Sequence, residues 1–249
     1  MSELNGVAIV GSGDVKLINE DGTFSTYLKQ AFNVLDYAKI LNDMQSYFPV
    51  FGLSRGHLVV HLYETKNSAI LVPSTAEHVS ETPNFLDVSS KMFNLTTEDN
   101  LSKYKSSPVG WNVRASCITE EAFAEAYSSD PSKYMVVTTS SSDAEGQTCV
   151  TITEGRDYPF YTIQYHVEAA NYDFSDASIP HDSLTRLFAE DVQFFFARES
   201  RNSIHYYNSY IHVTYEYIWN SKHLYTIANA IADSFTLHNI DQSTTLISK

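Results

Sequence analysis

Residues 204–219 read IHYYNSYIHVTYEYIW, and the fold class turns on how this stretch is taken. Ile211, Val213, Tyr215, Tyr217 and Trp219 alternate with Tyr210, His212, Thr214, Glu216 and Ile218. A period of two with one apolar, aromatic row predicts a strand that buries its odd face and leaves the even face to water or a partner. The apolar phase changes between Tyr206 and Ile211, which predicts a bulge or tight turn at Asn208-Ser209.

Working outward, Leu184, Leu187, Phe188, Val192 and Phe195 recur at spacings of three and four, the mark of an amphipathic helix, with Asp182 or Ser183 able to cap it. Beyond the strand, Leu224, Ile227, Ala228, Ile231, Ala232 and Phe235 suggest a second helix capped by Asn220-Ser221. Near the start, 7–10 reads as a strand and Glu20-Asp21-Gly22 as a hairpin turn. GVAIVGSGDV lacks the third glycine of a dinucleotide site and reads as a β-turn. Ser25 or Thr26 opens an amphipathic helix carrying Leu28, Ala31, Phe32, Leu35 and Ala38. Strands are expected at 57–64 and 68–72, and Thr119 caps a short helix. The segments 134–139, 148–153 and 160–167 form an antiparallel meander, with Tyr161, Ile163, Tyr165 and Val167 on one face. Residues 73–116 lose any period and read as a loop-rich excursion. Residues 241–249 read as a short polar tail. Together these predict a single α+β domain over 1–249, an antiparallel or mixed β-sheet with amphipathic helices packed on one face.

Composition narrows the function. Of 249 residues, 30 are acidic and 16 basic, a formal charge of −14; such a surface repels phosphate backbones and anionic lipid, so neither nucleic acid nor membrane is an expected partner. Apolar runs are too short to span a bilayer, and MSELNG does not open a signal peptide. Cys117 and Cys149, the only cysteines, read as two reduced, buried thiols. The 17 tyrosines and 14 phenylalanines suit a core or an interface.

No motif for catalysis, metal or phosphate stands out, and no cofactor is expected. His57 and His61, with Glu64, have metal-ligand chemistry, but on a strand residues four apart stand roughly 13 Å apart, too far for one ion. No Gly-x-Ser-x-Gly elbow is expected to be present, so Ser/His/Asp nucleophile logic has nothing to rest on. Two His-x-Ser/Thr pairs, His78 with Ser80 and His212 with Thr214, resemble the signature of the 2H phosphoesterases. That resemblance implies one histidine as base and the other as acid, with hydroxyls on the phosphate. A small-molecule or peptide-binding module is a third reading, suggested by aromatic richness alone.

The run YIHVTYEYIW-NSKH-LYTIANAIADSF, a long aromatic strand passing into an amphipathic helix, resembles the C-terminal end of tail-terminator and head–tail connector proteins of tailed bacteriophages. This implies a non-enzymatic structural protein of the virion, put together in the host cytoplasm. Its partners would be copies of itself, in a homo-oligomer or ring, and other virion proteins. The expected interface is Tyr206, Tyr207, Tyr210, His212, Thr214 and Glu216, with strand addition at a sheet edge. The alternative is a hydrolase of 2H-like or metal-assisted type using His78 and His212.

Overall fold

The computed structural model describes residues 3–11, 15–141, 146–206, 223–227 and 235–239. They belong to two compact units, one built from residues 5–172 and 178–204, the other from 1–4, 173–177 and 205–249.

The larger unit runs β1 (Val7–Ile9), α1 (Thr26–Asp43), β2 (Val50–Leu53), α2 (Arg55–Thr65), β3 (Val72–Pro73), β4 (Glu77–Glu81), β5 (Asn84–Phe85), α3 (Glu98–Tyr104), β6 (Gly110–Val113), β7 (Ser116–Cys117), α4 (Glu120–Ala126), β8 (Tyr134–Ser141), β9 (Thr148–Gly155), β10 (Phe160–Ile163), α5 (Ala169–Tyr172) and α6 (Ser183–Ser200). Its main sheet has the order β1-β2-β10-β9-β8-β5. β2 is the parallel centre, flanked by β1 and β10; from β10 outward the pairing is antiparallel. The sheet is therefore mixed, as the sequence predicts.

Strand pleating sends alternate residues to opposite faces. Val50 and Phe160 join the core made with Leu28 and Leu35 of α1 and Leu58 and Leu62 of α2. Phe51, Tyr161 and Ile163 join the core made with Tyr104 of α3 and Phe188, Val192 and Phe195 of α6. Helices thus cover both faces of the sheet and not the one face expected, and β2 lies between two apolar layers. The predicted common face of Tyr161, Ile163, Tyr165 and Val167 is present: all four lie in the second core.

The amphipathic helices form where their periodicity places them. Ser25 caps α1 by accepting from the Leu28 N–H, Thr119 caps α4 by accepting from Ala122, and Asp182 caps α6 by accepting from Leu184 and Thr185. Each satisfies a backbone donor that the first helical turn leaves open.

Four further expectations for the larger unit are corrected. Residues 57–64 belong to helix α2, not a strand. Its residues from Gly56 to Tyr63 are all buried, so no polar face betrays the helical period. Residues 68–72 form a 3-10 turn, Ser68–Ile70, and only then the short β3. The 73–116 excursion is built of short elements: β5 pairs with the sheet edge at β8, and β4 pairs with β6. Cys117 and Cys149 are joined as a disulfide, with Cα atoms 5.9 Å apart, instead of standing as free thiols.

In the smaller unit, β11 (His223–Ile227) pairs antiparallel with β12 (Phe235–Asn239). The helix expected over Leu224 to Phe235 is therefore replaced, at both ends, by strand. The predicted strand over 211–219 lies outside the described residues, as do Tyr207, Tyr210, His212, Thr214, Glu216 and the 241–249 tail. Ile204, His205 and Tyr206 have no regular structure, and Tyr206 is exposed.

Candidate active site

The centre of the larger unit is the sharp turn from β2 into α2, with the sequence Gly52-Leu53-Ser54-Arg55-Gly56. Ser54 sits at φ 52°, ψ −111°, a backbone conformation that a residue with a Cβ adopts at a cost and that clusters at functional sites. The two glycines make the turn possible. A Cβ on Gly52 would lie 2.5 Å from the Gly56 carbonyl oxygen, and one on Gly56 would lie 1.9 Å from the Ile9 carbonyl oxygen. No side chain fits at either place, so strand, elbow and helix approach backbone to backbone. The Ser54 N–H donates to the Ile163 carbonyl at 2.8 Å, which ties the elbow to the end of β10.

Just beyond β10, the chain delivers His166. Its Nε2 stands 2.7 Å from the Ser54 Oγ, and its Nδ1 stands 2.9 Å from Glu168 Oε1. A carboxylate only accepts, so Nδ1 carries the proton and Nε2 accepts from the serine hydroxyl. The order is serine, imidazole, carboxylate, in which the base is oriented by a third group. His166 is further held by its backbone N–H, which donates to the Trp111 carbonyl at 3.0 Å, and by the Trp111 ring, edge-on at 5.6 Å. Arg55, the residue after Ser54, starts α2, so the first-turn N–H groups and the positive end of the helix dipole stand beside the nucleophile. That is the requirement for holding a developing oxyanion. A cleft of about 20 Å³ opens at Ser54, lined also by Arg55, Arg114, Ser116 and Gln164.

This constellation is a Gly-x-Ser-x-Gly elbow followed, 112 positions later, by His-x-Glu. The expectation that the chain lacks such an elbow is thereby corrected: Gly52, Ser54 and Gly56 supply it. With 57–64 taken as a strand, the strand–turn–helix context that gives the motif meaning was absent.

The residues singled out from sequence lie elsewhere. His57 and His61 do meet, because they occupy one face of a helix: their rings are 4.8 Å apart. Both are fully buried, and burial holds their pKa values below the usual range, that of His61 at about 3. His57 Nδ1 bonds Thr162 Oγ1 at 2.7 Å, and His61 bonds Tyr127 and Thr153. Glu64 pairs with Lys39 and Lys133. Among the described residues, no group of three or more His, Cys, Asp or Glu side chains could hold a metal ion. His78 and Ser80 lie on β4, with the His78 ring 6.2 Å from Trp111.

No family model matches the chain. It is 24% identical over 246 residues to gamma-glutamyl hydrolase B of Dictyostelium discoideum, covering 98% of this chain and 69% of that protein. Two solved structures are similar in outline. A candidate GMP synthase component from Thermoplasma acidophilum gives a TM-score of 0.47 at 13% identity, over 85% of this chain and 77% of the other. The glutaminase domain of Trypanosoma brucei CTPS, with bound acivicin, gives 0.46 at 14%, over 80% and 72%. At those scores neither structure supports an argument here.

The expectation of a virion protein is overturned. The relative that spans nearly the whole chain is named as a hydrolase, and the expectation of a non-enzymatic chain in a phage particle, with virion partners and virion location, falls with it. Between the virion reading and its hydrolase alternative, the alternative is the better supported.

Proposed function

We propose that this chain is a serine-nucleophile hydrolase that cleaves the amide bond of γ-glutamyl compounds. The single observation that carries the reaction class is the 2.7 Å contact between Ser54 Oγ and His166 Nε2, with Glu168 on the opposite ring nitrogen. The substrate class is supported by the similarity to gamma-glutamyl hydrolase B.

The chemistry follows from the geometry. His166 Nε2 takes the Ser54 proton as Oγ attacks the γ-carbonyl carbon. Negative charge gathers on the carbonyl oxygen, beside the N-terminus of α2. The C–N bond breaks, the amine leaves with the proton from His166, and an acyl ester remains on Ser54. Water, deprotonated by the same imidazole, then releases free glutamate and restores the serine. Glu168 keeps Nδ1 protonated and stabilises the imidazolium formed in each half-reaction.

The test is release of p-nitroaniline from γ-glutamyl-p-nitroanilide. Ser54→Ala and His166→Ala are each expected to lower kcat/KM by about 10³-fold or more. Turnover that is the same in Ser54→Ala as in the parent protein overturns the proposal.

A further inference from the structure

We infer that helix α6 carries a self-complementary face through which two copies of this chain pair as an antiparallel, two-fold symmetric dimer. The inference goes beyond the hydrolase reading and does not depend on it.

Glu190, Phe194, Ala197 and Arg201 are all exposed. They follow one another at intervals of four, three and four, so they form a single stripe along the helix. Arg201 caps α6 with backbone angles that are still right-handed helical, and the stripe therefore runs through it. Phe194 is 71% exposed. It borders a hollow of about 300 Å³ whose apolar lining includes Met92, Leu95, Phe195 and Ala197 and whose cationic side is Arg198 and Arg201. Leu95 on its rim is as exposed as Phe194. The carboxylate in the lining, Asp191, is already engaged by the hydroxyls of Thr96 and Tyr104.

The stripe defines its own occupant. The midpoint between positions 190 and 201 is also the midpoint between 194 and 197. Two α6 helices laid antiparallel about a two-fold axis through that point set Glu190 against Arg201 of the second copy, twice, and Phe194 against Ala197, twice. A large ring facing a methyl group is the knob and the hole of close helix packing. The hollow has room for that ring, since a cavity of about 150 Å³ is enough for benzene. Among the described residues, neither Glu190 nor Arg201 is drawn into an ion pair. They cannot pair with each other within one helix, where they stand about 16 Å apart along the axis.

Net charge favours the same surface. At −14, two copies repel over most of their area. A contact between them needs a patch that is apolar and locally cationic, and this stripe, with Arg198 and Arg201 at one end of it, has both properties.

The test is sedimentation equilibrium of the full-length protein at physiological salt. One short helix pair makes a small interface, so a dimer with Kd of roughly 10–100 μM is expected. Phe194→Ser should weaken it by about 10-fold or more. Glu190→Arg and Arg201→Glu each turn two attractions into repulsions and should each weaken it by about 10-fold. The double variant Glu190→Arg with Arg201→Glu exchanges the charges across the axis and should restore the parent Kd. All these positions are exposed, and circular dichroism of each variant should match the parent. Protein that stays monomeric well above the expected Kd overturns the inference. So does a dimer that Phe194→Ser leaves intact, or one that the single reversals weaken and the double exchange does not restore.

Discussion

Ser54 and His166 are joined by a 2.7 Å hydrogen bond across 112 positions of sequence, and the serine that makes it is held in a left-handed backbone conformation. Strain of this kind costs on the order of 1–3 kcal/mol and persists only where the surrounding structure enforces it. Ser54→Gly removes both the nucleophile and the strain. It is expected to be inactive yet more stable than the parent protein by about 1 kcal/mol, measured by urea denaturation. A glycine variant that is less stable than the parent would show that the elbow is not strained.

Glu168 differs from His166 in its exposure: its side chain is about half exposed, 52%, while that of His166 is at 15%. Water can replace part of what an exposed carboxylate does for Nδ1, and solvent screening weakens its charge. Glu168→Ala is therefore expected to lower kcat by roughly 10- to 100-fold, less than the loss in His166→Ala. Equal losses in the two variants, measured at saturating substrate, would mean that the carboxylate carries more of the chemistry than its exposure implies.

At Gly56 a methyl group has nowhere to go, since its carbon would stand 1.9 Å from the Ile9 carbonyl oxygen. Gly56→Ala must push α2 away from β1 or break the elbow. A destabilisation of about 3 kcal/mol or more is expected in chemical denaturation, at the upper end of overpacking costs, with activity lost in parallel. A fully active Gly56→Ala protein of parental stability would contradict this packing.

His57 and His61 make stability depend on pH. Burial depresses the folded pKa of both, that of His61 to about 3, while an unfolded chain titrates near 6.5. The unfolded state therefore binds more protons below pH 6.5. Stability from these groups is complete above that value and declines as pH falls towards 3. Each contributes a slope of up to about 1.4 kcal/mol per pH unit. Unfolding midpoints measured between pH 7 and 4 should fall, and should fall less steeply in His61→Gln. A midpoint independent of pH across that window would place charged histidines in the core.

Cys117 and Cys149 close a loop of 32 residues, and Cys117 follows Ser116, whose carbonyl holds Gln164. A cross-link over such a loop is worth about 3–4 kcal/mol through the unfolded state. Cys149→Ser is expected to lower stability by that order and to make the melting temperature insensitive to dithiothreitol. Free-thiol titration of the denatured, unreduced parent protein checks the same point: two reactive thiols would refute the bond.

The legible parts of this chain were those whose periodicity faces water. Helices α1 and α6 alternate buried and exposed residues over several turns and carry side-chain caps, and the meander β8, β9, β10 follows from strands separated by turn residues. Helix α2 was illegible for a physical reason: a helix buried on every side has no amphipathic stripe, and a run such as Leu58-Val59-Val60 fits a buried strand equally well. That one misreading hid the active-site elbow, since Gly52-Leu53-Ser54-Arg55-Gly56 is informative only between a strand and a helix. His166 and Glu168 were illegible in a different way. Nothing in the local sequence says that the end of β10 returns beside β2; parallel pairing of strands more than a hundred residues apart supplies that. Strands of two residues, such as β3, β5 and β7, are too short to show any period, which is why 73–116 read as loop.

The central claim is that Ser54 is a nucleophile activated by His166. Incubation of the intact protein with a fluorophosphonate probe, followed by peptide mass spectrometry, tests it most directly. One adduct per chain is expected, on the peptide containing Ser54, absent in Ser54→Ala and formed far more slowly in His166→Ala. Labelling that persists in Ser54→Ala, or that proceeds at the parent rate without His166, would contradict the account.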